Sequence, residues 1–87
     1  MTREHEIFDT DGNSLGNITL SDTQMKTLAT GSLIAVRYHT PQLLRPALGD
    51  RNGLFELKLE GEHITATDPG EVKRYIQLLD AMEQAGA

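Results

Sequence analysis

The sequence predicts an α+β domain in which a small, mostly antiparallel sheet of about five strands is covered by a C-terminal amphipathic helix and a short helix. Three observations predict it. Two turn signals lie inside alternating apolar segments, one apolar run has the length of a strand, and a helical stripe of apolar residues follows a clear N-cap. The predicted order is β-β-α-β-β-β-α, and residues 1–87 are expected to form a single domain because no linker or repeat divides them.

The composition is that of a folded chain without cysteine chemistry. Leu, Ile, Val and Phe make up about a quarter of the 87 residues, above the share of roughly 20% that is typical of disordered chains. The lack of cysteine excludes disulfides, thiolate catalysis and cysteine-based metal sites. No apolar run approaches the ~18 residues that span a bilayer, and the first residues are polar. We therefore expect a cytoplasmic protein with no membrane segment and no secretory signal.

Residues 4–20 are predicted to form a β-hairpin. Asp11-Gly12 is typical of a two-residue type I′ turn, and that turn would place Phe8 opposite Leu15. A bulge at Gly16 is then required, because without it the apolar residues on the two sides of that glycine would point to opposite faces. With the bulge, the residues that share the inner face are Phe8, Leu15, Ile18 and Leu20.

The next two elements are a short helix and a strand. Ser21 and Gln24 have the spacing of a capping box at the start of a helix over residues 22–30, and Gly31 suits the left-handed position after it. The apolar run over residues 32–38 then predicts a strand, and its continuous hydrophobicity is typical of a central strand.

Residues 54–67 predict a second hairpin with Gly61-Glu62 in a type II′ turn. This turn pairs Leu59 with Ile64, so that the apolar faces of both strands coincide. A helix over residues 69–85 follows, with Asp68 as its N-cap. Its predicted core-facing stripe consists of Val72, Tyr75, Ile76, Leu79 and Met82, widened by Leu78, Ala81 and Ala85.

The segment over residues 39–53 is long for a connection in a small domain, where the median is roughly 4–6 residues. Two prolines interrupt it, yet it contains three leucines. One interpretation is a short helical turn at 42–48 whose leucines close an open end of the sheet. The other is a docking loop for a partner protein. The predicted partner contacts are Leu43, Leu44, Arg45 and Arg51.

The sequence contains no pattern typical of catalysis or of a cofactor. Asp9 to Asn13 resembles the start of a calcium loop, but the glycine and the glutamate that such a loop needs further on are missing. The three histidines lack the close spacing of metal ligands. Serine-nucleophile, phosphate-loop and dinucleotide motifs are also missing. We therefore predict no catalytic residues, no metal site and no cofactor.

The charges are unevenly distributed along the chain. The net charge is −5, but the middle third is net basic and lies between two acidic flanks. An acidic chain without site chemistry favours a non-catalytic protein-interaction module. By analogy from size and acidity, it would be a small inhibitor or accessory protein such as phages and mobile elements encode, for instance against host defences. The acidic flanks offer a second binding surface, with Glu60, Glu62 and Glu71 as its predicted residues.

Two alternative functions remain open from the sequence. The first is a nucleic-acid-binding accessory domain, which the net charge disfavours. Its contacts would be Arg37, Arg45, Arg51 and Lys58. The second is a small enzyme or ligand-binding subunit whose site forms only on oligomerisation. A core this small is a reason to expect self-association, with a homodimer as its simplest form.

Overall fold

The computed structural model describes residues 2–86 and has the predicted α+β architecture. Within this range the strands are β1 (Thr2–Phe8), β2 (Ser14–Ser21), β3 (Ile34–His39), β4 (Asn52–Glu60) and β5 (His63–Ala66). The helices are α1 (Asp22–Ala29), the short α2 (Arg45–Leu48) and α3 (Pro69–Ala85). A 3-10 turn, Gln42–Leu44, directly precedes α2.

The strands form one mixed sheet in the order β2-β1-β5-β4-β3. Three neighbouring pairs are antiparallel, and β1 with β5 is parallel. Helix α1 carries the chain from β2 at one edge to β3 at the other. The apolar run over residues 32–38 is therefore an edge strand, and its prediction as a central strand is wrong. Ile34 and Tyr38 are buried on its inner face, but Ala35 between them is exposed, so the run is apolar without being covered on both sides.

The two longer helices cover the same face of the sheet. Leu28 of α1 and Val72 of α3 are fully buried against the inward side chains of the strands. The opposite face is open, and charged side chains such as Glu4, Glu56 and Arg37 are exposed on it. None of the described helices is long and apolar enough to cross a membrane.

The loop of the first hairpin differs from its prediction. The amide of Gly12 donates to the carbonyl of Asp9, and the amide of Asp9 donates to the carbonyl of Asn13. The loop therefore has three residues, 10–12, inside its closing pair instead of the two that were predicted. The Asp9 carboxylate accepts hydrogen bonds from the amides of Asp11 and Asn13 at 2.9 and 2.8 Å. With these hydrogen bonds the loop has a positive φ only at Gly12. The type I′ turn would also need a positive φ at Asp11.

The longer loop changes which side chains of β1 are buried. Phe8 lies opposite Ser14 instead of Leu15, and Ile7, which is fully buried, takes the core position predicted for Phe8. The predicted bulge is present between the Ile7 and Phe8 pairs. Gly16 at this bulge has a φ of +118°, and a Cβ on it would lie 2.9 Å from the side chain of Ile76 on α3. The glycine therefore allows both the bulge and the close approach of the helix.

The second hairpin and the helix caps follow the prediction. Leu59 pairs with Ile64, and Leu57 pairs with Ala66. The capping box between Ser21 and Gln24 is formed in both directions, and the Asp68 side chain accepts from the amide of Glu71. These signals are local, so neighbouring residues suffice to determine the geometry.

The apolar stripe of α3 is buried only in part. Val72 is fully buried, Tyr75, Ile76 and Leu78 pack at the margin of the core, and Met82, predicted to face the core, is 43% exposed. The C-terminal half of the helix therefore leaves apolar surface uncovered, and this surface borders the segment between β3 and β4.

Candidate functional site

The segment between β3 and β4 folds back on itself at Thr40 and Arg51. The buried Thr40 donates its amide to the carbonyl of Arg51, and its hydroxyl oxygen accepts from the amide of Arg51 at 3.0 Å. The predicted helical turn at 42–48 is present as the 3-10 turn followed by α2. Since both ends of the segment are tied together, the leucines between them project from a defined framework.

The three leucines of this segment have different environments. Leu44 is 8% exposed, although it is not part of the main core cluster between the sheet and the helices. Leu43 is 70% exposed and Leu48 is 53% exposed. The segment thus combines one structural leucine with two that are available for contact.

Glu71, at the start of α3, connects the helix to this segment. Its carboxylate accepts 2.7 Å from the Tyr38 hydroxyl, accepts from the Arg51 guanidinium, and lies 3.3 Å from Nη1 of Arg74. Its side chain is only 15% exposed. The Tyr38 hydrogen bond, followed by that from Arg51, lowers the pKa of Glu71, while burial raises the pKa of the Tyr38 hydroxyl.

The ring of Tyr38 fixes this hydroxyl in place. It packs against Tyr75 with a centroid distance of 5.4 Å and lies over Gly53 on the neighbouring strand. A Cβ on Gly53 would be 2.1 Å from the ring, so only glycine leaves space for it. The aromatic packing therefore positions the Tyr38 hydroxyl toward Glu71.

Replacing Glu71 with glutamine is expected to reduce the acid sensitivity of the fold. A lowered folded-state pKa means that the ionised carboxylate stabilises the fold above about pH 4.3, the ordinary glutamate value, and that this contribution is lost as the pH falls through the lower folded value. Urea midpoints measured at about pH 7 and about pH 3 should therefore fall further for the wild type than for Glu71→Gln.

The Glu62→Gln variant, changed in the exposed hairpin turn, is the control for this measurement and should behave like the wild type. Equal losses of stability in the wild type and in Glu71→Gln would contradict the expectation.

A groove lies between this segment and α3, next to the Glu71 cluster. Its cavity volume is about 190 Å³. Ligand pockets for small molecules usually measure about 300–1,000 Å³, so the groove suits one large side chain better than a small-molecule substrate. The residues that line it are Thr40, Leu48, Arg51, Arg74, Gln77, Leu78 and Ala81.

The groove is apolar in one part and cationic in another. Leu48, Leu78 and Ala81 supply the apolar part. Arg51 and Arg74 are 44% and 56% exposed, and both contact the single carboxylate of Glu71. Two guanidinium groups that share one carboxylate leave a net positive charge at the groove.

The predicted contacts Leu43, Leu44, Arg45 and Arg51 are not brought together at the groove. Arg51 lines it, whereas Leu43 is exposed outside its lining and Leu44 is turned into the interior. The Arg45 guanidinium donates to the carbonyl of Thr40 at 3.3 Å and lies 3.8 Å from the Asp50 carboxylate. Arg45 therefore stabilises its own segment.

Sequence reasoning missed the contribution of α3 to the groove. Arg74, Gln77, Leu78 and Ala81 follow the i, i+3, i+4, i+7 spacing of one helix face, and this is the signal that could have found them. The pattern assigned Leu78 and Ala81 to a widened core stripe, because spacing alone does not show where the sheet ends beneath a helix.

The predicted acidic surface is divided between two ends of the sheet. Glu60 and Glu62 lie at the hairpin where β4 ends, and Glu60 is 2.7 Å from the Lys58 amine. Glu71 binds Arg51, which directly precedes the start of β4. These three residues therefore do not form one continuous acidic surface.

The predicted basic residues are also scattered. Arg37 and Lys58 lie on the open face of the sheet, while Arg45 and Arg51 belong to the segment between β3 and β4. Lys58, Arg45 and Arg51 each lie within 4 Å of a carboxylate. A stripe of free cations that could follow a phosphate backbone is therefore not formed by these four residues.

The described residues contain no cluster of three or more side chains suited to holding a metal ion. His39 pairs with Asn52 at the start of β4, and His63 pairs with Glu60 at its end, so the two histidines lie at opposite ends of the sheet. The Asp9 carboxylate is used by the hairpin loop, and hydrogen bonds from the amides of Asn13 and other loop residues lower its pKa.

Comparison with known protein families, with characterised proteins and with solved structures finds no match to this chain. The chemistry of the groove and the surfaces of the sheet are therefore the basis for a functional proposal.

Proposed function

We propose that this protein is a non-catalytic interaction module that binds a segment of a partner protein in the groove between the 40–51 segment and α3. The observation that carries the proposal is the apolar cavity beside two arginines that share one carboxylate. Compact apolar pockets flanked by arginine are typical of binding hot spots, in which a few anchors supply most of the affinity.

The groove favours a partner segment with a large apolar side chain next to an acidic residue. The apolar side chain would replace water against Leu48, Leu78 and Ala81. The carboxylate would face Arg51 and Arg74, where the net positive charge complements it and the guanidinium fork allows paired hydrogen bonds.

The groups that line the groove support binding more than catalysis. The Thr40 hydroxyl is already committed to the backbone of Arg51, and the other polar groups are two guanidiniums and the amide of Gln77. Glu71, the nearest carboxylate, is held by three neighbours. A general base must be free to reach the proton that it removes, and neither Thr40 nor Glu71 has that freedom.

Exposed leucines extend the proposed surface beyond the cavity. Leu43 is exposed outside the cavity lining, Leu48 is 53% exposed at the cavity itself, and Met82 lies one turn beyond Leu78 on α3. Such a rim excludes water around a central anchor. A small module of this kind fits the role of an inhibitor or accessory protein, which acts by occupying a surface of its partner.

A peptide-display selection against the immobilised protein tests the proposal. Selected peptides are expected to carry a leucine, phenylalanine or similar residue next to aspartate or glutamate. Their binding should shift the backbone NMR signals of Gln77, Leu78 and Ala81. Ala81→Phe, which fills the cavity, is expected to abolish binding, and Arg74→Glu is expected to weaken it at least about tenfold, or roughly 1.4 kcal/mol.

Lys73→Glu is the matched control, because Lys73 is exposed on the same helix but does not line the groove. It makes the same charge reversal as Arg74→Glu and should keep the affinity of the wild type, with all melting temperatures compared. Selected peptides that lack acidic residues, or that bind Ala81→Phe and the wild type equally well, would refute the assignment of the groove.

A further inference from the structure

Strand β3 leaves one of its two edges without a partner. It pairs with β4 on one side, and within residues 2–86 no strand pairs with its other side. The strand contains no proline and no bulge, and Arg37 is its single lysine or arginine. Native proteins usually protect an exposed strand edge with prolines, bulges or several charged side chains. A strand edge without this protection indicates a site of strand pairing.

The opposite edge of the sheet provides an internal comparison. Strand β2 contains the bulge at Leu15 and Gly16, which distorts its ladder and increases its twist. β3 keeps a continuous register with β4 over six residue pairs, from Ile34 to His39. Beyond this bulge β2 keeps an equally long register with β1, from Gly16 to Ser21, so the difference between the two edges is that β3 has no bulge anywhere along its length.

The hydrogen bonds to β4 identify the backbone groups that point outward from β3. The amide of Thr40 donates to the carbonyl of Arg51 on the β4 side. Because the direction of the backbone groups alternates along a strand, the amide and carbonyl groups of every second residue before Thr40 also point toward β4. The intervening residues Ala35, Arg37 and His39 direct their amide and carbonyl groups to the open edge. All three are exposed, and they are free to form a second ladder.

We propose that a second copy of this chain pairs with β3 in antiparallel orientation, so that two sheets join into one across a twofold axis at Val36. An antiparallel arrangement of identical strands gives a closed, self-complementary interface. In this register Ala35 of each copy lies opposite Arg37 of the other. Both residues present outward backbone groups, as a hydrogen-bonded antiparallel pair requires.

Charge complementarity selects this register. Ala35 lies directly between the proposed position of the second copy's Arg37 and Glu56 on β4, and all three side chains are on the open face. The span is two strand spacings, about 10 Å, which an arginine and a glutamate can bridge over the methyl group of alanine. Within the described residues, neither the Arg37 guanidinium nor the Glu56 carboxylate has a hydrogen bond or an ion pair.

The neighbouring registers are electrostatically unfavourable. A shift of two residues in one direction places the two Arg37 side chains opposite each other, and like charges in that position are destabilising. The same shift in the other direction moves Arg37 toward Lys58 on β4. Of the registers that keep the backbone groups paired, the one centred on Val36 alone joins Arg37 to an unpaired carboxylate.

Sedimentation equilibrium over about 1 µM to 1 mM protein tests this inference. The wild type is expected to dimerise. Arg37→Glu should weaken self-association at least about tenfold, because each dimer contains two of these pairs, and Arg37→Glu with Glu56→Arg should restore the affinity to within about threefold. Ala35→Pro should abolish the dimer while the domain stays folded, since it removes an amide that points away from β4.

Lys73→Glu is again the control for a general charge effect and should leave the dimer unchanged. Should Ala35→Pro fail to fold, the charge swap decides alone. A wild type that stays monomeric at about 1 mM, or a charge swap that does not restore association, would overturn the inference. None of these variants alters the groove, so this result is independent of the proposed partner-binding function.

Discussion

Truncation of Leu57 to alanine is expected to lower the free energy of unfolding by about 2–5 kcal/mol, the range for a buried leucine. Leu57 is fully buried on β4 and pairs with Ile34 on one side and Ala66 on the other. The truncation would leave a cavity beneath the helices that the surrounding sheet cannot close. Urea unfolding followed by circular dichroism measures the loss.

Leu54→Ala is the matched control for this prediction. Leu54 lies on the same strand but on the open face, where it is 43% exposed. The same chemical change there is expected to alter stability by less than about 0.5 kcal/mol, which is typical of surface positions. Similar losses for the two variants would mean that the assignment of the sheet faces is wrong.

Leu44→Ala is also expected to destabilise the domain, by about 2 kcal/mol or more. Leu44 is 8% exposed and is the last residue of the 3-10 turn. Thermal melts of this variant and of Leu43→Ala provide the comparison, because Leu43 is the adjacent residue and is 70% exposed. Leu43→Ala should keep the stability of the wild type.

The same pair of variants separates the two predicted roles of the 39–53 segment. Loss of partner binding in a stable Leu43→Ala protein would indicate that the segment docks a partner through its exposed leucines. If Leu44→Ala proved as stable as the wild type, Leu44 would not close the sheet. Leu44 would then again be a candidate contact for the partner protein, as the sequence predicted.

Most of the secondary structure could be predicted because its signals are local. The Gly61-Glu62 turn determines the register of β4 and β5, and Ser21 and Asp68 determine where two helices begin. In each case the chemistry involves residues only a few positions apart. The tertiary contacts of these elements agree with their local preferences.

The errors arose where two local solutions compete or where position in the sheet matters. Asp9 stabilises a three-residue loop that the Asp11-Gly12 signal does not reveal, and this single residue moved Phe8 out of the core. The hydrophobicity of β3 indicated burial but not its place in the strand order. An edge strand with one covered face and small or apolar residues on the other resembles a central strand in sequence.

The groove could be predicted only in part for a different reason. Arg51 was identified from a segment that was unusual in itself, whereas Arg74 and Gln77 lie outside the apolar stripe of the helix and were not predicted to form a site. The groove exists because α3 extends past the sheet to meet the segment, and that meeting depends on the packing of the whole chain.

The parallel pairing of β1 with β5 constrains the order in which the chain can assemble. Within residues 2–86, two residue pairs between strands, Ile7 with Ile64 and Phe8 with Thr65, join the N-terminal hairpin to the three strands that follow. Each pair is separated by 57 positions in the sequence, so its formation closes a long loop, and such contacts form slowly. During synthesis the first hairpin can therefore pair with the rest of the sheet only after β5 has left the ribosome. Until then the hairpin also lacks α3, whose Ile76 packs against Gly16 on β2.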